Sequence, residues 1–188
     1  MSTLVAGVAL WVVVHLIPSL AAGYRQRVID KFGASPYRAV FTIAILTSIV
    51  IIVVGWRSSP EQYLYVLPPW SRPAGFTLMM ISFLLLGAAN YQTIIKRFVR
   101  HPMLLGVVVW SVSHLLTNGT IRALVLFGGL GLWALIEMAL ITHRDGVRDL
   151  PAGPGLGAEM KGIAISAIIF LLVLFLHPYF TGVSAMLR

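Results

Sequence analysis

The sequence predicts an all-α fold, a polytopic membrane helix bundle with about six transmembrane helices, organised as one domain over residues 1–188. Three observations carry that expectation. Hydrophobic residues make up 59% of the chain and charged residues 11%, against roughly 25% charged in an average soluble domain. Mean hydropathy is +0.91. The apolar residues also fall into runs near the length of about 20 residues that a helix needs to cross the hydrocarbon core.

In chain order the runs lie at 3–22, 37–56, 73–95, 103–118, 121–142 and 160–178. The first lacks a basic stretch before it and a cleavage pattern after it, so it is expected to stay as a transmembrane helix and not to be cleaved as a signal. The second follows the polar "GYRQR" region, and the third follows "RSSPEQYLYVLPPWSRP", whose four prolines and several aromatics suit an interfacial segment. The fourth is short. It opens after "RHP", where proline suits a first helical turn, and closes at "TNGT", where Asn118 and Gly119 are expected to form a C-terminal cap. Gly128, Gly129 and Gly131 in the fifth run resemble a phosphate loop only superficially. No strand precedes them, and close helix packing explains them better. A polar connection rich in glycine and proline leads to the sixth run.

Basic residues orient these runs. The first, third and fifth connections hold Arg25, Arg27, Lys31, Arg38, Lys96, Arg97, Arg100, Arg144, Arg148 and Lys161, ten in all; the other side holds Arg57, Arg72, Arg122 and Arg188, four. The excess places the odd connections in the cytoplasm and both termini on the periplasmic side of a bacterial inner membrane. The net charge of +8 therefore reflects topology and contact with the lipid bilayer, and nucleic acid is not an expected partner. Cysteine is absent, which excludes disulfides, thiolate metal sites and a cysteine nucleophile.

Ionisable groups inside a membrane are costly and mark functional candidates. At 1.5 Å of rise per residue, His15 lies roughly 18 Å from the outer surface and His114 roughly 12 Å from it, on antiparallel helices. Their depths agree within about 6 Å. Two imidazoles so placed could face each other across a flat cofactor, as axial ligands of a b-type haem held without cysteine. The plainer alternative is that each bonds a backbone carbonyl, or a serine such as Ser111 or Ser113. His101 sits at the cytoplasmic mouth as a boundary residue or a donor facing a bound group. His143 suits a helix C-terminus, and His177 is an interfacial polar residue or an alternative axial ligand. Glu137 and Asn90 are expected near the inner face, within reach of Arg97, Arg100 or His101, most simply as structural partners. Trp110 shares a helical face with His114, where core packing is its simplest role.

The ordered set "HLIPSL", "YRAVFT", "RHPMLLGVVVWSVSHLLTNGT", "LVLFGGLGLWAL" and "LHPYFTGV" resembles the NnrU family over essentially the whole chain. That resemblance implies a bacterial integral membrane protein linked to denitrification and nitric oxide metabolism. The family is in turn similar to the 15-cis-zeta-carotene isomerases, which hold haem b between two histidines and isomerise a double bond in a redox-dependent way. By resemblance His15 and His114 are the metal ligands, and His101 is an accessory or ligand-switch residue. Arg25, Arg97 and Arg100 are candidates to pair with haem propionates. The implied small-molecule partners are a hydrophobic polyene or nitric oxide. A non-enzymatic accessory protein for nitrite or nitric oxide reductase is the alternative. "RHPMLLG" also resembles the RHPxYxG element of membrane methyltransferases that use S-adenosylmethionine, although Met103 and Leu105 have no tyrosine between them.

Overall fold

The computed structural model describes residues 1–150 and 153–181. Among these the chain forms α1 (Ser2–Leu20), α2 (Ala22–Phe32), α3 (Ala34–Ser58), α4 (Ser71–Ala88), α5 (Ile95–Phe98), α6 (Pro102–Thr117), α7 (Ile121–Ala123), a π turn (Leu124–Gly128), α8 (Gly129–Asp145) and α9 (Leu156–Thr181). α7, the π turn and α8 form one rod over Ile121–Asp145. Five rods are long and apolar enough to cross a bilayer, and α6 is a shorter apolar helix of 16 residues.

The main packing contacts run in the spatial order α3, α1, α8, α6, α4, α9. Small residues let these rods approach closely. A side chain added at Gly55 would strike the backbone of Leu4 across the α1–α3 seam, and one added at Gly129 would meet Val8 at 2.7 Å where α1 crosses α8. Hydroxyls tie α4 to α6: Ser82 donates to the Gly106 carbonyl at 2.8 Å and Ser113 to the Gly75 carbonyl at 2.7 Å, both buried. With lipid around the helices there is little hydrophobic drive between them, so close van der Waals contact and interhelical hydrogen bonds hold such a bundle together. Leu104, Trp133 and Ala134 form the buried apolar centre at the α6–α8 seam, with Trp11, Val12 and Leu16 of α1 packed against it.

Three expectations need correction. The third run ends at Ala88, well before residue 95, because polar Asn90, Tyr91 and Gln92 follow and the Asn90 amide folds back to the Leu86 carbonyl at 2.9 Å. The polar stretch after the first run is itself a helix, the basic α2, with no buried residue. At the end of α6, Asn118 caps through its side chain, donating to the His114 carbonyl at 3.2 Å. Gly119 is not in the left-handed region; its carbonyl instead accepts from Leu64 at 2.7 Å, pinning the 59–70 connection over that helix end.

The opposite end of the bundle is its basic end: Arg25 lies in α2, just after α1, Arg100 just before α6, Arg144 in the last turn of α8 and Arg148 just after it.

Candidate functional site

His15 and His114 occupy equivalent local settings. Each stands four residues after a tryptophan, in "WVVVH" and "WSVSH", and the helical repeat puts both members of such a pair on one face. His15 Nδ1 donates to the Trp11 carbonyl at 2.9 Å, and His114 Nδ1 donates to the Trp110 carbonyl at 3.0 Å. A carbonyl can only accept, so the proton sits on Nδ1 and Nε2 carries the lone pair. That is the arrangement in which a histidine is oriented as a metal ligand or a base by its own backbone. The expected plain alternative, a bond to a carbonyl, is thus what each imidazole makes through Nδ1, and Nε2 keeps its lone pair.

Around His15 the walls come from α1, α3 and α8. Its ring stacks on Trp11 at 4.1 Å and meets Trp133 at 4.8 Å and Phe41 at 5.7 Å, both edge-on. One turn beyond Trp133 lies Glu137, only 7% exposed, with one carboxylate oxygen accepting from Ser19. The other oxygen, the Trp11 and Trp133 Nε1–H groups and the Tyr37 hydroxyl are buried with no protein partner among the described residues. Arg25 lies over the Tyr37 ring at 5.6 Å and closes the pocket toward the basic end. This pocket is aromatic in shape and polar in chemistry.

His114 has a different surround. Phe127 stacks on it at 4.2 Å, Trp110 lies at 4.7 Å, and Trp110 and Phe127 meet each other at 5.0 Å. Trp56 extends the wall, edge-on to Phe127 at 5.9 Å, and carries Arg122 over its outer face at 4.6 Å. Phe127 belongs to the π turn. Such a turn adds one residue to the ring of backbone bonds and re-aims a side chain, which is why π turns recur at functional sites.

The rod α7–α8 measures the two histidines against each other. His15 touches Trp133 and His114 touches Phe127, six positions apart, or about 9 Å of rise. Independent seams agree on the direction of the offset: Val8 of α1 meets Gly129, whereas Ser111 of α6 meets Gly131. His15 lies farther along α1 toward the basic end than Val8, and His114 lies on α6 away from that end relative to Ser111. No ring contact or hydrogen bond joins His15 to His114 among the described residues.

The other candidates divide between the ends. His101, the residue before α6, shares a hydrogen bond of 2.9 Å with the Thr142 hydroxyl. Burial, and then the Arg100 charge, lower its pKa from the usual 6.5, so it is neutral at pH 7. Arg100 donates to the Gly146 carbonyl at 2.6 Å, and Arg97 approaches Gly153. Arg25 alone of the three arginines belongs to the His15 pocket. Glu137 is bound by Ser19 and does not reach Arg97, Arg100 or His101 through any hydrogen bond or ion pair. Asn90 caps α4, and Thr181 donates to the His177 carbonyl at 2.8 Å within α9. Trp11, Trp133, Tyr37 and Phe127 complete the two pockets without having stood out in the sequence. The repeated W-x-x-x-H spacing is the signal that would have exposed the first of them.

A family model described as NnrU protein matches residues 3–185. The chain belongs to the NnrU family. Both W-x-x-x-H pockets, the π turn and the Arg100–His101 corner fall inside the matched NnrU region. No curated protein and no solved structure matches the chain.

Proposed function

We propose that this NnrU protein lies in a bacterial inner membrane with both termini on the outer side, and that it binds one b-type haem through His114 for the handling of nitric oxide. The observation that carries the reading is the His114 tautomer. Its Nδ1–H is held by the Trp110 carbonyl, so a neutral Nε2 lone pair is presented within a wall of Trp110, Phe127 and Trp56. The donor is of the kind that haem iron takes, and the flat apolar wall suits a porphyrin edge. When bound, ferrous haem with one protein ligand supplies an open position for a diatomic gas.

His15 fits this iron less well as a second ligand, because an axial offset of about 9 Å separates the two imidazoles and the His15 pocket is polar. Its buried carboxylate and unpaired indole N–H groups suit small hydrogen-bonding molecules better than a macrocycle. Methyl transfer would place S-adenosylmethionine in the groove of about 850 Å³ beside His101, whose wall includes Arg100, His101 and His143 but no carboxylate to meet a sulfonium or ammonium charge.

The test is a visible spectrum of the detergent-purified, haem-reconstituted protein. The expected result is a high-spin, five-coordinate Soret band that shifts with nitric oxide, is lost in His114→Ala and is retained in His15→Ala. A low-spin spectrum lost in either variant would replace the single-ligand assignment with a shared iron. Absence of any Soret band would overturn the haem reading and favour the accessory-protein role.

A further inference from the structure

Two grooves meet at the basic end. One, of about 850 Å³, runs along α6 and α8 past Leu105, Leu135 and Met138; the other, of about 470 Å³, passes Met103, Leu104 and Ile141. Arg100 and His101 line both grooves, so the two apolar channels diverge from one polar corner. Basic side chains gather there: Lys96 and Arg148 border the second groove beside Arg100, and the His143 imidazole borders the first. Among the described residues Asp149 is the one carboxylate in either lining, and the neighbouring Asp145 is engaged by Arg144 at 2.8 Å. Carbonyl bonds hold the cations in place, from Arg100 to Gly146, from Lys96 to Ala89 and from Arg148 to Lys96. A guanidinium fixed through one of its five N–H groups still has others to offer an anion.

We propose that this corner is a specific site for one anionic diacyl phospholipid, with its phosphate among Arg100, Lys96 and Arg148 and one acyl chain in each groove. Two channels leaving a single cationic point match the forked shape of a diacyl lipid. A single-chain amphiphile would fill only one of them. The charge imbalance selects an anionic headgroup over a zwitterionic one, and basic recesses between transmembrane helices recognise headgroups in this way. His101, held neutral and bonded to Thr142, braces the corner between α6 and α8 without adding charge.

Native mass spectrometry of the full chain in detergent tests the proposal, with palmitoyl-oleoyl phosphatidylglycerol as probe. Phosphatidylcholine, lysophosphatidylglycerol and glycerol phosphate are the comparisons. The diacyl phosphatidylglycerol is expected to be retained best. Arg100→Gln should weaken it about fivefold, the equivalent of roughly 1 kcal/mol per basic residue, and Arg100→Lys should restore most of the binding. Leu135→Trp, on an exposed face of α8, should weaken binding by obstructing one chain without touching the cations. It carries the test should Arg100→Gln fail to fold. Arg27→Gln on the exposed α2 should leave retention unchanged. Equal retention of phosphatidylcholine would overturn the proposal, as would indifference to both Arg100→Gln and Leu135→Trp. Lysophosphatidylglycerol binding as tightly as the diacyl lipid would remove the two-chain assignment, and glycerol phosphate binding as tightly would reduce the site to an anion site.

Discussion

At the scale of single residues, two histidines with the same local bond have different surroundings, and the difference decides what each can do. The backbone carbonyl four residues earlier fixes the tautomer of both. The neighbours then separate them: beside His114 stand the Trp110 and Phe127 rings, with His177 within electrostatic reach, and beside His15 a carboxylate with unpaired indoles. Glu137 is the costly member of the second group, since a buried carboxylate needs hydrogen bonds to offset its desolvation. Ser19 supplies the one such bond found among the described residues. Ser19→Ala is therefore expected to destabilise the bundle by about 1–3 kcal/mol, whereas Ser19→Thr, which keeps the hydroxyl, should cost much less. Reversible unfolding in mixed micelles would read both. Equal losses would show that the hydroxyl does not support the carboxylate. The histidines and Glu137 were legible in the sequence because ionisable groups in apolar runs stand out. Trp133 and Tyr37 were not, because an aromatic residue in a membrane helix is ordinary until its neighbours in space are known.

At the scale of elements, small residues set the spacing of the rods. Gly55 illustrates it, because any side chain there meets the Leu4 backbone, which cannot rotate out of the way. Gly55→Val should weaken the α1–α3 pairing by about 1–3 kcal/mol. Gly157→Ala, with nothing within 4 Å of the added carbon, should be neutral or slightly stabilising through helix propensity. Thermal unfolding of the two variants side by side checks the contrast, and similar losses would mean that the seam has room to adjust. Element positions were the best-read part of the sequence. The run placed at 103–118 is α6 at Pro102–Thr117, since proline and the polar "TNGT" mark its ends chemically. The error at α4 has a physical source: hydropathy carried the run to residue 95, while the Asn90 side chain competes for a helix carbonyl and ends it. α2 was missed because its apolar residues are few and its mean character polar, and periodicity is a weak signal over 11 residues.

At the scale of the whole molecule, the order α3, α1, α8, α6, α4, α9 makes a row with two outer members. α3 and α9 turn long apolar faces outward, with Val40, Ile43 and Val50 exposed on one and Ile168, Leu171 and Phe175 on the other. Such faces belong against acyl chains. The proposed orientation rests on the charge of the connections and is open to direct measurement. Fusions of a periplasm-active reporter to the C-terminus should be active and fusions within the 146–155 connection inactive; the reverse pattern would invert the molecule. The depth agreement of His15 and His114 drawn from segment ends was about 6 Å, and the structure opens it to about 9 Å. Segment ends locate a residue along one helix. They do not say how far neighbouring helices are shifted along their axes, and the glycine seams set that shift.

The π turn at Leu124–Gly128 amounts to one residue inserted into an otherwise continuous rod. Because a helix turns about 100° per residue, an insertion lets the two parts of one rod obey separate angular phases. The part beyond it keeps Trp133 and Glu137 aimed at α1, while the part before it brings Arg122 to Glu61 and Trp56. The inserted residue thus acts as a phase shifter, and sequence change on one side of it need not be copied on the other for both pockets to keep their walls.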